Sequence, residues 1–198
     1  MVTIDNNTLT LSWKGPFTIK DTELFNESDP GLYLFTVKKN SYYSLQYIGM
    51  TTGALSHRIV GTDSRPGHLR EAISGRYYLY DPEKLSDLSL ESRYHLADNF
   101  QAFFRDLEEN LDLARRNLEL QSFFLCPFSE FTDYIPQAER LLIYHALNHS
   151  GSESDFPIIE NGRGASRPEL PQDFALHCKF PDGIEVKGLM QPITAPQS

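Results

Sequence analysis

The chain has 198 residues, 40% of them apolar and 23% charged, with a formal net charge of −9. That is enough for one domain with a real core, and no apolar run approaches the about 18 residues that a membrane span needs. The acidic balance argues against a polyanionic partner spread over the whole surface.

Charge is not spread evenly. Residues 31–80 carry six basic and two acidic side chains, net +4, while residues 1–30, 81–135 and 136–198 are net −3, −7 and −3. Lys38, Lys39, Arg58, Arg65, Arg70 and Arg76 can therefore form a local basic face on an acidic body, or an ordinary solvated surface. The opening MVTIDNNTLTLSW has no basic segment leading into an apolar one, so no secretory signal is expected. Cys126 and Cys178 are lone thiols without metal-ligand spacing, which fits reduced cysteines in a cytoplasmic protein.

In chain order, Leu9 to Trp13 reads as a strand, and Lys14-Gly15-Pro16 as a turn into Phe17 to Ile19, an N-terminal hairpin or a strap across the main sheet. Asp29-Pro30-Gly31 launches the next segment. Leu32 to Val37 and Tyr43 to Ile48 flank the polar turn Lys38-Lys39-Asn40-Ser41, a β-hairpin. Gly49 and Thr51-Thr52-Gly53 then lead into a helix beginning near Leu55. A glycine-ended strand feeding a helix is a place where backbone N–H groups can converge on an anion. A polar loop follows, with His68 at its far end, then a short helix from Leu69 to Ser74 and an aromatic strand from Arg76 to Tyr80.

From Leu85 to Leu120 the pattern turns helical, with Phe100, Phe104, Leu107, Leu111, Ala114 and Leu118 at steps of four and three, a single stripe for packing. Gln121 to Phe128 reads as a strand. Thr132 to Pro136 carries helix-start chemistry for a helix from Gln137 to Asn148. Glu139 falls on that helix's apolar stripe with Leu142, Ile143 and Ala146, where its charge needs compensation by a metal ion or cation, an arginine such as Arg58 included. Phe174 to Leu189, around Pro181-Asp182-Gly183, reads as a C-terminal hairpin, and Gln191 to Ser198 as a frayed end.

These residues together resemble a family. Gly31-Leu32-Tyr33 and, after thirteen intervening residues, Tyr47-Ile48-Gly49 resemble the signature tripeptides of the GIY-YIG endonucleases. Arg58 in Leu55-Ser56-His57-Arg58-Ile59 resembles the family's helical arginine. Glu139 is similar to its metal-binding glutamate, and Asn161 to the asparagine after that helix. The sequence departs from the pattern in Leu32 for isoleucine, a slightly longer interval between the tripeptides, and Met50 where some members have lysine.

The resemblance implies an α/β (α+β) single domain, a small mixed β-sheet flanked by helices. Residues 31–80 and 123–165 would form the catalytic core, 81–122 a helical insertion, and 1–30 and 166–198 terminal extensions with hairpins. It implies a metal-dependent endonuclease that hydrolyses DNA phosphodiester bonds, restriction-like or structure-specific, with Mg²⁺ (or Mn²⁺) held by Glu139. Tyr33 would be the general base, its phenol pKa drawn down by neighbouring cations. Tyr47 would align water or phosphate, Arg58 would bind the scissile phosphate, His68 would accept a proton or contact phosphate, and Asn161 would support the site. Lys38, Lys39, Arg65, Arg70 and Arg76 would contact DNA. A homodimer or protein partner could dock through 81–122. The rival expectation is a nucleic-acid-binding or protein-interaction domain that keeps the fold without turnover; taken alone, Tyr33 and Tyr47 also read as aromatics of a half-buried sheet.

Overall fold

The computed structural model describes residues 2–5, 7–65, 67–69, 78–80, 93–95, 105, 107–148, 174–189 and 192–194. In chain order these form β1 (Val2–Asp5), β2 (Thr8–Ser12), β3 (Lys14–Phe17), α1 (Glu23–Asn26), β4 (Gly31–Lys39), β5 (Tyr42–Thr51), α2 (Leu55–Ile59), β6 (Tyr78–Tyr80) and β7 (Arg93–His95). α3 (Leu107–Leu120), β8 (Gln121–Pro127), a 3₁₀ turn (Thr132–Tyr134), α4 (Ile135–Asn148), β9 (Ala175–Lys179) and β10 (Ile193–Thr194) complete them. The architecture is α+β. Among the described residues no helix is long and apolar enough to cross a membrane.

The central sheet runs β3-β8-β4-β5 and is antiparallel throughout. β4 lies between two partners, and its run GLYLFTV is buried on both faces except at half-buried Phe35, as a central strand requires. The β4–β5 hairpin turns at Asn40, whose φ of 54° lies in the left-handed region that asparagine tolerates.

One irregularity decides what this sheet can do. Phe35 pairs with Tyr47, but Thr36 pairs with Leu45, so Gln46 is an extra residue opposite no partner. A bulge of this kind shifts the side-chain alternation of one strand by one position. Tyr43 and Leu45 therefore face one side of the sheet, and Tyr47 and Gly49 the other. The first face packs Leu32, Leu34, Ile48, Phe124 and Cys126 against Ile135, Ala138, Leu141, Leu142 and Ala146 of α4. The second packs Tyr33, Phe123 and Leu125 against Leu24, Leu55, Ile59, Leu69 and Leu118.

The termini form a separate mixed sheet, β1-β2-β9-β10, so the mixed sheet expected to carry the site is instead an accessory layer. The N-terminal hairpin is β1–β2, with Val2 opposite Leu11, while Lys14-Gly15-Pro16, expected as a turn, lies within β3 at the edge of the central sheet. β9 runs parallel to β2 and antiparallel to β10, and the return run after Gly183 joins the other sheet through a Tyr43–Val186 bridge. The expected C-terminal hairpin is therefore replaced by three long-range pairings, and Ile193 and Thr194, expected to fray, are a strand whose Ile193 is fully buried.

Residues 85–120 are not one helical pattern either. Arg93–His95 is a strand antiparallel to Tyr78–Tyr80, and the regular stripe begins only at Phe100 in sequence. On α3, Ala114 and Leu118 are buried while Leu107 and Leu111 are 37% and 40% exposed. α3 passes into β8 without a linker, so Leu118 anchors it to the second face of the central sheet.

Candidate active site

Tyr33 and Gly49 are cross-strand partners on β4 and β5. The Tyr33 ring lies over Gly49, where a Cβ would collide with its Cζ and hydroxyl; glycine is required here for space rather than for dihedral freedom. Tyr47 reaches the same face because of the Gln46 bulge. The Tyr33 and Tyr47 ring centroids are 6.0 Å apart, and Phe35 sits 5.5 Å from each.

His68 opens a helical turn beyond the loop that follows α2. Expected at the end of a polar loop, it is instead 3% exposed. A hydrogen bond of 2.6 Å joins the Tyr33 hydroxyl to its Nε2, its ring is 5.4 Å from that of Tyr47, and Phe35 meets it edge-on at 5.5 Å. Gly67 permits this approach, since a Cβ there would run into the backbone of Ile59, Val60 and Gly61. Phe35, Gln46 and Gly67 therefore build the site without having been singled out in the sequence. The available signals were the long interval between the tripeptides and a glycine directly before His68.

Arg58, on α2, donates a hydrogen bond to the Tyr33 hydroxyl. Burial pushes the phenol pKa up; the phenol of Tyr47 adds to this and the Arg58 guanidinium works against it. This corrects the expectation that neighbouring cations draw the phenol down: the ring is fully buried, and desolvation outweighs a single guanidinium. His68 is pulled down to about 3, mainly by burial and then by the charge of Arg58, so its ring is neutral at physiological pH.

Glu139 arrives from the other face of the sheet. It lies beside the apolar stripe of α4 rather than within it, half-buried, where its carboxylate accepts a hydrogen bond from the Met50 backbone N–H and feels the charges of Arg140 and Arg58. Burial raises its pKa, and those three contacts oppose the rise. The end of β5 is thus where a residue from α4 meets residues from the opposite face. Among the described residues there is no cluster of three or more His, Cys, Asp or Glu. One half-buried carboxylate suits a hydrated cation such as Mg²⁺, which completes its shell with water and substrate oxygens.

Outside this cluster opens a cleft of about 560 Å³ lined by Thr51, Thr52, Gly53, Ala54, His57, Arg58, Thr62, Ser64 and Arg65. Among the described residues its lining holds two guanidiniums, an imidazole and four hydroxyls, and no carboxylate. The α2 N-terminus does not serve it, contrary to expectation: the Leu55 and Ser56 amides donate to the carbonyls of Asp29 and Glu27. Anion affinity here belongs to side chains.

The expected basic face is divided. Arg58 and Arg65 line the cleft, whereas Lys38 and Lys39 sit at the opposite end of the hairpin, roughly 20 Å from the Tyr33–Gly49 rung at about 3.4 Å per residue. Arg70, Arg76 and Asn161 lie outside the described residues. No family model, curated protein or solved structure matches the chain.

Proposed function

We propose that this chain is a metal-dependent endonuclease that hydrolyses DNA phosphodiester bonds. The observation that carries this reading is the buried 2.6 Å bond between the Tyr33 hydroxyl and His68 Nε2, which Arg58 links to a cationic cleft that it lines.

Phosphodiester hydrolysis needs a proton taken from water, charge stabilisation at the phosphate and a stabilised leaving oxygen. A buried phenol with a raised pKa is a poor store of negative charge, but it relays a proton well. With its proton on Nδ1, neutral His68 accepts the Tyr33 proton at Nε2 as the Tyr33 oxygen takes one from the attacking water and Nδ1 releases its own proton to solvent. Neither a buried phenolate nor a buried imidazolium has to accumulate. Tyr47, in hydrogen-bond contact with the Tyr33 hydroxyl, orients that relay. Arg58 presents a planar guanidinium to the phosphate oxygens and stabilises charge that grows there. Glu139 would hold Mg²⁺ or Mn²⁺, which when bound neutralises charge at the phosphate and the leaving oxygen. The order of the tripeptides, Arg58 and Glu139 along the chain, resembling GIY-YIG nucleases, supports the same reading.

A second reading, a nucleic-acid-binding domain without turnover, draws on two observations: Tyr33 is fully buried, and Met50 stands where some members of that family have lysine. A cleavage assay on supercoiled plasmid and branched DNA with Mg²⁺ or Mn²⁺ separates the two. Metal-dependent nicking by the wild type that disappears in Glu139→Ala supports the nuclease; DNA binding by a folded wild type without turnover supports the domain.

A further inference from the structure

Of the catalytic cluster, Arg58 lines the cleft. Arg58 faces Tyr33, His68 and Glu139, and Arg65, Ser64 and His57 line the same space. They are exposed, and they are held in place. The turn from Thr62 to Arg65 is closed by reciprocal bonds, Thr62 N–H to the Arg65 carbonyl at 2.8 Å and Arg65 N–H to the Thr62 carbonyl at 3.3 Å, with Thr62 Oγ1 accepting from the Arg65 N–H at 3.2 Å. Thr62 and Ser64 hydroxyls lie 3.3 Å apart. Gly67 then packs the loop against the end of α2.

We propose that the cleft binds two consecutive phosphates of one nucleic-acid strand, the scissile phosphate on Arg58 and its neighbour on Arg65, Ser64 and His57. This rests on the endonuclease reading and extends it. Three arguments carry it. A cleft of about 560 Å³ is several times the size of one phosphate group. Each phosphodiester brings a single negative charge, and the two guanidiniums of the described lining exceed what one of them needs. The sequence has a net charge of −9, so a cleft whose described lining holds two guanidiniums and no carboxylate is a local exception suited to an anionic ligand. The segment after α2 carries both Arg65 and, at the helical turn beyond Gly67, His68, so the outer phosphate is held next to the relay. Arg65 is therefore a binding residue.

The test compares wild type with Arg65→Ala, His57→Ala, Arg58→Ala and the remote control Lys179→Ala, each checked for folding by circular dichroism. Turnover is followed on supercoiled plasmid with Mg²⁺. Binding is followed on a fluorescent random-sequence duplex with Ca²⁺ over a range of salt. The expected result is an about tenfold loss of affinity in Arg65→Ala, with the slope of log K against log salt falling by about one, and a rise in KM while kcat stays within about twofold. Arg58→Ala loses kcat as well as affinity, and Lys179→Ala changes neither. Wild-type affinity and salt slope in Arg65→Ala, alongside weakened binding in Arg58→Ala, would overturn the second phosphate and leave the nuclease standing. A fall in kcat in Arg65→Ala equal to that in Arg58→Ala would place both on one phosphate and also overturn it. A folded wild type that neither binds nor cuts would sink the endonuclease reading and this extension with it.

Discussion

The hydroxyl of Tyr33 and Nε2 of His68 lie 2.6 Å apart, buried, across 35 positions of sequence. One group sits on the inner strand β4 of the sheet and the other on a helical turn whose approach depends on Gly67. If the pair relays a proton, either half should be indispensable to turnover and dispensable to binding. Tyr33→Phe keeps the ring over Gly49 and removes only the hydroxyl; His68→Gln keeps a polar group of similar reach. Each is expected to lower kcat by about 10²–10⁴-fold while duplex affinity in Ca²⁺ stays near wild type. Single-turnover cleavage and fluorescence anisotropy measure the two quantities separately.

The buried imidazole also gives a pH signature. His68 titrates near 6.5 when unfolded and at about 3 in the fold, so between those values the unfolded chain binds a proton that the native one refuses. Stability from this group is complete above pH 6.5 and declines as pH falls toward about 3. Urea unfolding across pH 7 to 4 should show a steeper loss in wild type than in His68→Gln. Parallel curves would mean that the ring is accessible in the native state.

Two glycines are predicted to be intolerant for reasons of space. In Gly49→Ala the new methyl meets the Tyr33 ring, and in Gly67→Ala it meets backbone of Ile59, Val60 and Gly61. Overpacking of this kind costs about 1–3 kcal/mol, and Gly67→Ala should stand at or above the upper end because backbone yields less than a side chain. Gly67→Ala should also lose cleavage beyond its loss of stability, since the displaced segment carries His68. Gly53→Ala, where a Cβ would meet only the Thr51 hydroxyl at 3.8 Å, is the control and should unfold like wild type. Denaturant midpoints and kcat on the same samples decide this.

Arg58→Lys preserves charge and discards the planar fork. Lysine is a point charge that cannot bond the Tyr33 oxygen and a phosphate with the same geometry. The expected outcome is DNA affinity within a fewfold of wild type and kcat down by about 10²-fold or more. Full activity in this variant would show that Arg58 supplies only electrostatic attraction.

Much of the fold was legible where contacts are local. The β4–β5 hairpin follows from two apolar runs around Asn40-Ser41, and α4 from Pro136 in its first turn and the spacing of its apolar residues. Tyr33, Tyr47, Arg58 and Glu139 could be named as candidates from their resemblance to a family pattern. What misled was non-local pairing. Lys14-Gly15-Pro16 has the composition of a turn, yet β8 is there to make it an edge strand. Ile193-Thr194 has no local reason to be ordered, yet β9 recruits it. The raised phenol pKa of Tyr33 was misjudged for the same reason: cations nearby in sequence are visible, but burial is not.

By itself the sequence determined several of the elements, because turn chemistry and apolar period are properties of short stretches, and it named the candidate site through its resemblance to a family pattern. Tertiary structure alone decided how those residues meet. The bulge at Gln46 turned Tyr47 onto the face of Tyr33, the packing of Gly67 on α2 brought His68 under cover, and the Met50 N–H drew Glu139 from the opposite face to the end of β5. Each of these depends on a partner strand or helix distant in sequence. Face, burial and desolvation are settled only when those partners are in place.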